Sequence, residues 1–259
     1  MSPGPFGPPP SQYMNRYKRC LVSLADGSMI PVCVDRYLRA DNSGNPPVRN
    51  GRNAYHELIK ALSDKTGTSR HSESYSLDGR RVHRDCFRMP FIGKGSPFDI
   101  GQAVLAASWC GLINARTVQR YCEDYMGLDC NGFASNLFRL DRNTSVGSYD
   151  DRMKRLAAAE EIGTRTVLVW VKSPGSGKTH THVAVVERVD RIDANRKVVD
   201  LQIVHSEGGR GLNQKRFLKP FEVDEEGHLF FAQKESVAAL STQERIYALP
   251  PPNNSIPRD

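Results

Sequence analysis

No hydrophobic run in this sequence is long enough to cross a bilayer. The longest unbroken one within a strand pattern is Val167–Val171, and the longest loosely apolar one is Ala103–Ile113. A transmembrane helix needs about 20 apolar residues, so no membrane span is expected. The first ten residues read MSPGPFGPPP, without the basic and then apolar leader of a Sec-type signal peptide. Cytoplasmic synthesis is the expectation, with a leaderless route for any export. No two cysteines are spaced C-x-x-C, which excludes the usual zinc knuckle, and neither a metal nor an organic cofactor is expected. No internal repeat is visible. Hydrophobic residues are 39% and charged residues 25%, which excludes a wholly disordered chain as well. The 259 residues suffice for one large domain or two small ones, with a core that needs no disulfide staples.

Acidic excess is also absent. Lys plus Arg is 36 and Asp plus Glu is 29, a net +7. Residues 1–98 hold 15 basic and 8 acidic side chains, so the whole excess lies there, and residues 99–259 balance at 21 each. A basic segment suits contact with an anionic polymer through residues 1–98; the plainer alternative is a solvated basic face. Six cysteines are present, at 20, 33, 86, 110, 122 and 130. Cys20 and Cys33 could face one another across a hairpin, but a reducing cytosol would keep them as thiols. Five of the six read as packing residues and Cys130 as something else.

The pattern along the chain is α+β. Residues 1–12 form a Pro/Gly-rich tail expected to be disordered or extended. Residues 13–95 form a basic N-terminal α+β module. It has hairpin signals at Ala25–Ser28 and Asp78-Gly79, a polar loop over 41–53 and a helix over 54–64 that carries Leu58, Ile59 and Leu62 on one face. Residues 96–248 form a second domain. Ser96 and Pro97 mark a helix start. Helices are expected over 100–112, 115–125, from 129 or 130 to about 140, and over 152–161. Strands are expected over 164–171, 182–189, 198–204, 216–221 and 227–231. Residues 249–259 read as a disordered tail.

Ser173–Thr179 resembles the end of a phosphate-binding loop. That motif demands glycine where Lys172 stands and a helix where a β-rich run follows, so a turn between strands is the better reading. A stronger signal is Asp129-Cys130-Asn131-Gly132-Phe133 at a predicted helix start. Unpaired backbone N–H groups there favour the thiolate, the nucleophilic form, and Gly132 leaves room for a substrate backbone. A small buried cysteine is the equally weighted alternative. A thiol nucleophile needs a base, and the base needs an orienting group. His182 opens one strand and His205 ends the next, so the two can lie side by side. His180, two residues earlier and expected on the same strand face, competes with His182 as base. His56, His71, His83 and His228 read as ordinary surface residues.

These residues resemble the NlpC family of papain-like cysteine peptidases, which carries a D-C-S-G-F-like helix start, an H-V-[GA]-[IV] strand and a polar residue, often His, on the following strand. Here these are Asp129–Phe133, His182–Val185 and His205, with 52 residues from Cys130 to His182 and a preceding strand Thr166–Trp170. The likeness covers roughly residues 99–235. It implies a papain-like α+β core and cleavage of an amide bond in peptidoglycan stem peptide, between D-glutamate and the diamino acid. In it Cys130 is the nucleophile, His182 the base and His205 its orienting group. The backbone N–H of Cys130 and the hydroxyl of Tyr121, with Tyr125 as the alternative, stabilise the oxyanion. Asp129 and Asn131 flank the thiol, where the family recognises a substrate amine, and Asn131 replaces the family's serine. The context implied is an exported toxin, with an inhibitory partner protein, or a phage lysin. Two alternatives stay open: the same triad acting on a non-wall amide or isopeptide, by hydrolysis or acyl transfer, and a catalytically silent basic binding module.

Overall fold

The computed structural model describes residues 7–38, 51–141, 144–172, 180–232 and 244–252. Most of the expected loop over 41–53, the 173–179 turn, the first six residues and the end of the C-terminal tail lie outside them. In chain order the elements are α1 (Pro10–Lys18), β1 (Cys20–Ser23), β2 (Met29–Val32), α2 (Gly51–Thr66), β3 (Ser74–Leu77), β4 (Arg80–His83), α3 (Arg84–Arg88), α4 (Pro97–Trp109), α5 (Val118–Tyr125), α6 (Cys130–Phe138), β5 (Val167–Val171), β6 (His180–Asp193), β7 (Val198–Glu207), β8 (Gly211–Val223), β9 (Leu229–Ala232) and β10 (Arg245–Leu249). They fall into two compact units. One comprises residues 14–136 with 206–213, and the other residues 1–13, 137–205 and 214–259. A division at 95/96 would join α4 and α5 to the later strands; here they group with the N-terminal hairpins and helices.

The helical unit follows local sequence signals closely. Ser96 and Asp99 form a reciprocal capping box with Pro97 at the first turn of α4, which satisfies backbone donors that a helix start leaves orphaned. Gly111, at φ 76°, lets the chain leave that helix, and Leu112 N–H donates to Ala107 O at 2.9 Å. Ala54, Tyr55, Leu58, Ile59 and Leu62 recur at three- and four-residue spacing and are the buried face of α2. Both hairpin signals hold: β1 pairs antiparallel with β2 and β3 with β4. Cys20 stands opposite Val32, not Cys33, and all six cysteines are free thiols.

The second unit is built on a closed antiparallel barrel in the order β10-β5-β6-β7-β8-β9. Strand residues alternate inward and outward, and the inward set packs one core: Leu168 and Trp170, Ala184 and Val186, Leu201 and Ile203, Phe217, Phe231, and Ile246 with Ala248. Closure depends on β10, which pairs with β5 on one side and β9 on the other. Leu249, expected to open the tail, is instead the last residue of this closing strand. The Pro/Gly-rich start also yields structure, since α1 begins at Pro10 and Ser11 Oγ donates to Glu187 at 2.6 Å.

The segment 152–161 is a correction. Its alanines predict a helix, but it runs as two short 3-10 turns, Arg152–Lys154 and Ala159–Glu161. Tertiary bonds override propensity here. Leu156 donates to Ala248 O at 2.9 Å and accepts from Leu229 N–H at 2.8 Å. Arg155 grips Asp150 with two nitrogens at 2.8 and 2.7 Å and lies 3.5 Å above the Tyr247 ring. Both charged side chains are buried, at 6% and 4% exposure. Arg155→Ala would strand the Asp150 carboxylate in the interior and should cost about 3–5 kcal/mol. Equilibrium urea unfolding checks this; a loss below about 1 kcal/mol would mean that the pair does not anchor the segment.

Candidate active site

Cys130 is the first residue of α6. The backbone leading to it is tied on all sides. Gly127 N–H donates to Pro90 O at 3.2 Å, Leu128 N–H to Arg36 O at 2.8 Å and Asp129 N–H to Gly93 O at 3.0 Å. Ser206 Oγ donates to Leu128 O at 2.5 Å. Asp129 caps the helix, its carboxylate accepting from Gly132 N–H. A carboxylate next to a thiol opposes thiolate formation, and Lys94 offsets that charge with Nζ at 2.8 Å from Asp129 Oδ2 and 2.9 Å from Oδ1. Lys94 is itself held, since its N–H donates to Met89 O at 2.9 Å and its carbonyl accepts from Asn136 at 3.1 Å. Sequence reasoning missed Lys94, because an isolated lysine 35 residues before Asp129 carries no pattern.

Packing accounts for Gly132. A Cβ there would collide with the Gly93 carbonyl, so the space expected for a substrate backbone is filled by the protein's own chain. Asn131 is buried, and Cys130 is only 6% exposed. The packing cysteines are chemically distinguished. Burial pushes the Cys20 thiol up to about 11 and Cys122 to about 12. Burial, with Asp35 adding to it, takes Cys33 to about 11, and Cys110 is raised by burial. Such thiols stay protonated and unreactive near neutral pH.

His182 and His205 come together in the barrel unit. Nε2 of His182 lies 2.7 Å from Nδ1 of His205, and the rings meet at 4.9 Å between centroids. Both continue inward-facing rows, Ala184–Val186 on β6 and Leu201–Ile203 on β7. Trp170, the register partner of His182 on β5, sets its ring edge-on at 4.8 Å. Burial, then His205 and Lys215, pull the His182 imidazole down to about 3. The ring is therefore neutral at physiological pH.

His180 has other partners. The register shifts between Trp170 and Val171, which pair with His182 and His180, so Thr181 is an extra residue in a bulge. The alternation expected to give His180 and His182 a common face is broken, and Nε2 of His180 lies 2.9 Å from Asp150 Oδ2. Burial alone would raise the Asp150 carboxyl, but hydrogen bonds from Arg155 and His180 hold it below the usual range. Elsewhere, His83 caps α3 by accepting from Asp85 N–H. His228 is half-buried beside Asp224 and Glu226, so it is not the surface residue expected.

Tyr121 lies on α5, its ring edge-on to Phe91 at 6.1 Å and to Tyr125 at 5.2 Å. Its hydroxyl is buried and has no hydrogen-bond partner among the described residues. Burial drives its ionisation upward, so it is a proton donor with unused capacity. No group of three or more metal-ligating side chains occurs among the described residues, and no helix among them is long and apolar enough to cross a membrane. Comparison with family models, with curated proteins and with solved structures gave no match in any of the three.

The buried imidazole has a measurable consequence. Its folded-state pKa lies below the unfolded value of 6.5, so its stabilising contribution is complete above pH 6.5 and falls as pH drops toward 3, on the order of 1 kcal/mol per pH unit. Nitrogen-detected imidazole NMR should show no titration of His182 between pH 5 and 8. A midpoint near 6.5 would mean that the ring is solvated.

Proposed function

We propose that this chain is a cysteine-dependent amide-bond hydrolase in which Cys130 is the nucleophile, His182 the base and His205 the group that orients it. The observation that carries this reading is the 2.7 Å contact between His182 Nε2 and His205 Nδ1. An imidazole held at Nε2 by a second ring has its tautomer and rotation set, with Nδ1 left for proton transfer. A thiol on the first residue of a capped helix is the second support, because the helix start favours negative charge.

The Cys130 sulfur attacks the amide carbonyl carbon while its proton passes to His182 Nδ1 and on to the leaving amine. A water deprotonated by His182 then opens the thioester and restores the thiol. The Cys130 N–H, at the first helical turn, and the Tyr121 hydroxyl are the groups proposed to stabilise the oxyanion. The core is proposed to be papain-like, as the resemblance to the NlpC family implies.

Peptidoglycan stem peptide is the proposed substrate. Asp129 favours a second reading of that substrate alone. Its carboxylate is already engaged by Lys94 and Gly132 N–H, so an amide without a neighbouring free amine, outside the cell wall, fits the same chemistry.

Cys130→Ala should abolish release of fragments from isolated sacculi, read by mass spectrometry. His182→Ala should lower the rate by about 10²–10⁴, and His205→Ala should be milder because it acts through His182. Chloroacetamide at pH 7 should label Cys130 ahead of the other five cysteines. A folded Cys130→Ala protein that cleaves at the wild-type rate would overturn the assignment.

A further inference from the structure

Within the helical unit, β4 runs directly into α3, and this stretch carries Arg80, Arg81, Arg84 and Arg88. Its inner side is apolar. Tyr75 and Leu77 of β3 and Cys86 and Phe87 of α3 are buried, and the Tyr75 and Phe87 rings meet edge-on at 6.2 Å. Arg84 N–H donates to Glu73 O at 2.8 Å, which ties the start of α3 to the residue before the hairpin. With the apolar side chains turned inward, Arg80, Arg81 and Arg88 are exposed and Arg84 is half-buried.

These guanidinium groups are held without being neutralised. Arg81 Nε donates to Ser74 Oγ at 2.7 Å across the hairpin, and Arg84 Nε donates to the Tyr55 hydroxyl at 2.6 Å. A neutral acceptor at Nε orients the planar group and leaves its terminal nitrogens for an outside acceptor, with the charge intact. The side chains of Arg80 and Arg88 make no hydrogen bond or ion pair with any described residue. Arginines of the barrel are used differently: Arg155, Arg188, Arg191 and Arg216 each grip an aspartate. The acidic residues of 74–88 are Asp78 and Asp85, so these two carboxylates face four arginines along the same stretch.

We propose that β4 and α3 form a docking surface for the phosphodiester backbone of a nucleic-acid duplex. A run of unspent cations suits a polymer of closely spaced anions, and a duplex carries one phosphate per about 1.7 Å of its axis. Guanidinium forks match phosphate oxygens, and such contacts position a protein without reading bases. Two features of the surface choose among polyanions. No large hydrophobic side chain of β3, β4 or α3 is exposed, so nothing there inserts into a lipid surface. No exposed Phe, Tyr or Trp stands among the arginines, so unpaired bases have no platform on which to stack. The proposal does not depend on the thiol and imidazole chemistry above.

The test is fluorescence anisotropy of the full chain with a labelled duplex of about 20 base pairs, repeated between about 50 and 200 mM salt. Saturable binding is expected, insensitive to sequence, with log affinity falling against log salt at a slope of about −3 to −4, or about four phosphates. Arg80→Ala, Arg81→Ala and Arg88→Ala should each weaken binding about eightfold at about 0.1 M salt and flatten the slope by about one. All three side chains are exposed, so thermal unfolding should be unchanged. Arg188→Ala, in a barrel ion pair with Asp190, should bind as wild type. So should Cys130→Ala, which separates this surface from the proposed hydrolase. Phosphatidylglycerol vesicles, polyglutamate and the matching single strand should bind more weakly than the duplex. No saturable binding of the duplex, equal affinity in wild type and the three arginine variants, or equal or tighter binding of vesicles, polyglutamate or the single strand would overturn the proposal.

Discussion

The pairing of β6 with its two neighbours is the constraint on which the barrel and its imidazole pair depend. Side chains on a strand alternate with a period of two, so a slip of one residue would turn Ala184 and Val186 out of the core and His182 with them. The register is held by Val183–Val185 against Val167–Val169 on β5 and by Val185-Val186 against Ile203-Val204 on β7. Beyond Trp170 the bulge at Thr181 ends that regularity. Two histidines separated by one residue then serve different networks, one joined to His205 and one to Asp150.

Burial governs what each network can do. His182 loses affinity for a proton because apolar surroundings and a second imidazole offer no compensation for charge. His180 meets a carboxylate that is itself held by Arg155. The first arrangement suits a neutral proton acceptor of fixed tautomer, and the second suits a structural anchor.

The helical unit shows a different economy. The backbone from Gly127 to Asp129 is bonded to Arg36, Pro90 and Gly93, and glycines at 93 and 132 allow backbones to approach where any side chain would collide. Such contacts hold the start of α6 rigidly without large side chains. The same unit carries most of the basic excess of the chain, +5 of +7, with arginines of α2 and α3 lining one cleft.

Much of this was legible in order along the chain. The capping box at Ser96, the apolar face of α2, the two hairpins and the runs that became β5 to β9 are local signals, written in neighbouring residues. Cys130 could be singled out because thiol, turn glycine and helix start are adjacent, and His182 with His205 because each ends a strand pattern. Tertiary structure decided the rest, through bonds between residues far apart in the chain. A helical run of alanines became two turns because Leu156 and Arg155 found partners on β9, β10 and at Asp150. A strand that no sequence signal marked, Arg245–Leu249, closed the barrel, because β5 and β9 each needed a neighbour for their backbone groups. Lys94 reached Asp129, and Gly132 met the Gly93 carbonyl. Sequence by itself determined most of the elements and the thiol and imidazoles that could do chemistry. Only the tertiary structure decided which partners those residues have, because hydrogen bonds, burial and charge compensation act between side chains that no short window of sequence contains.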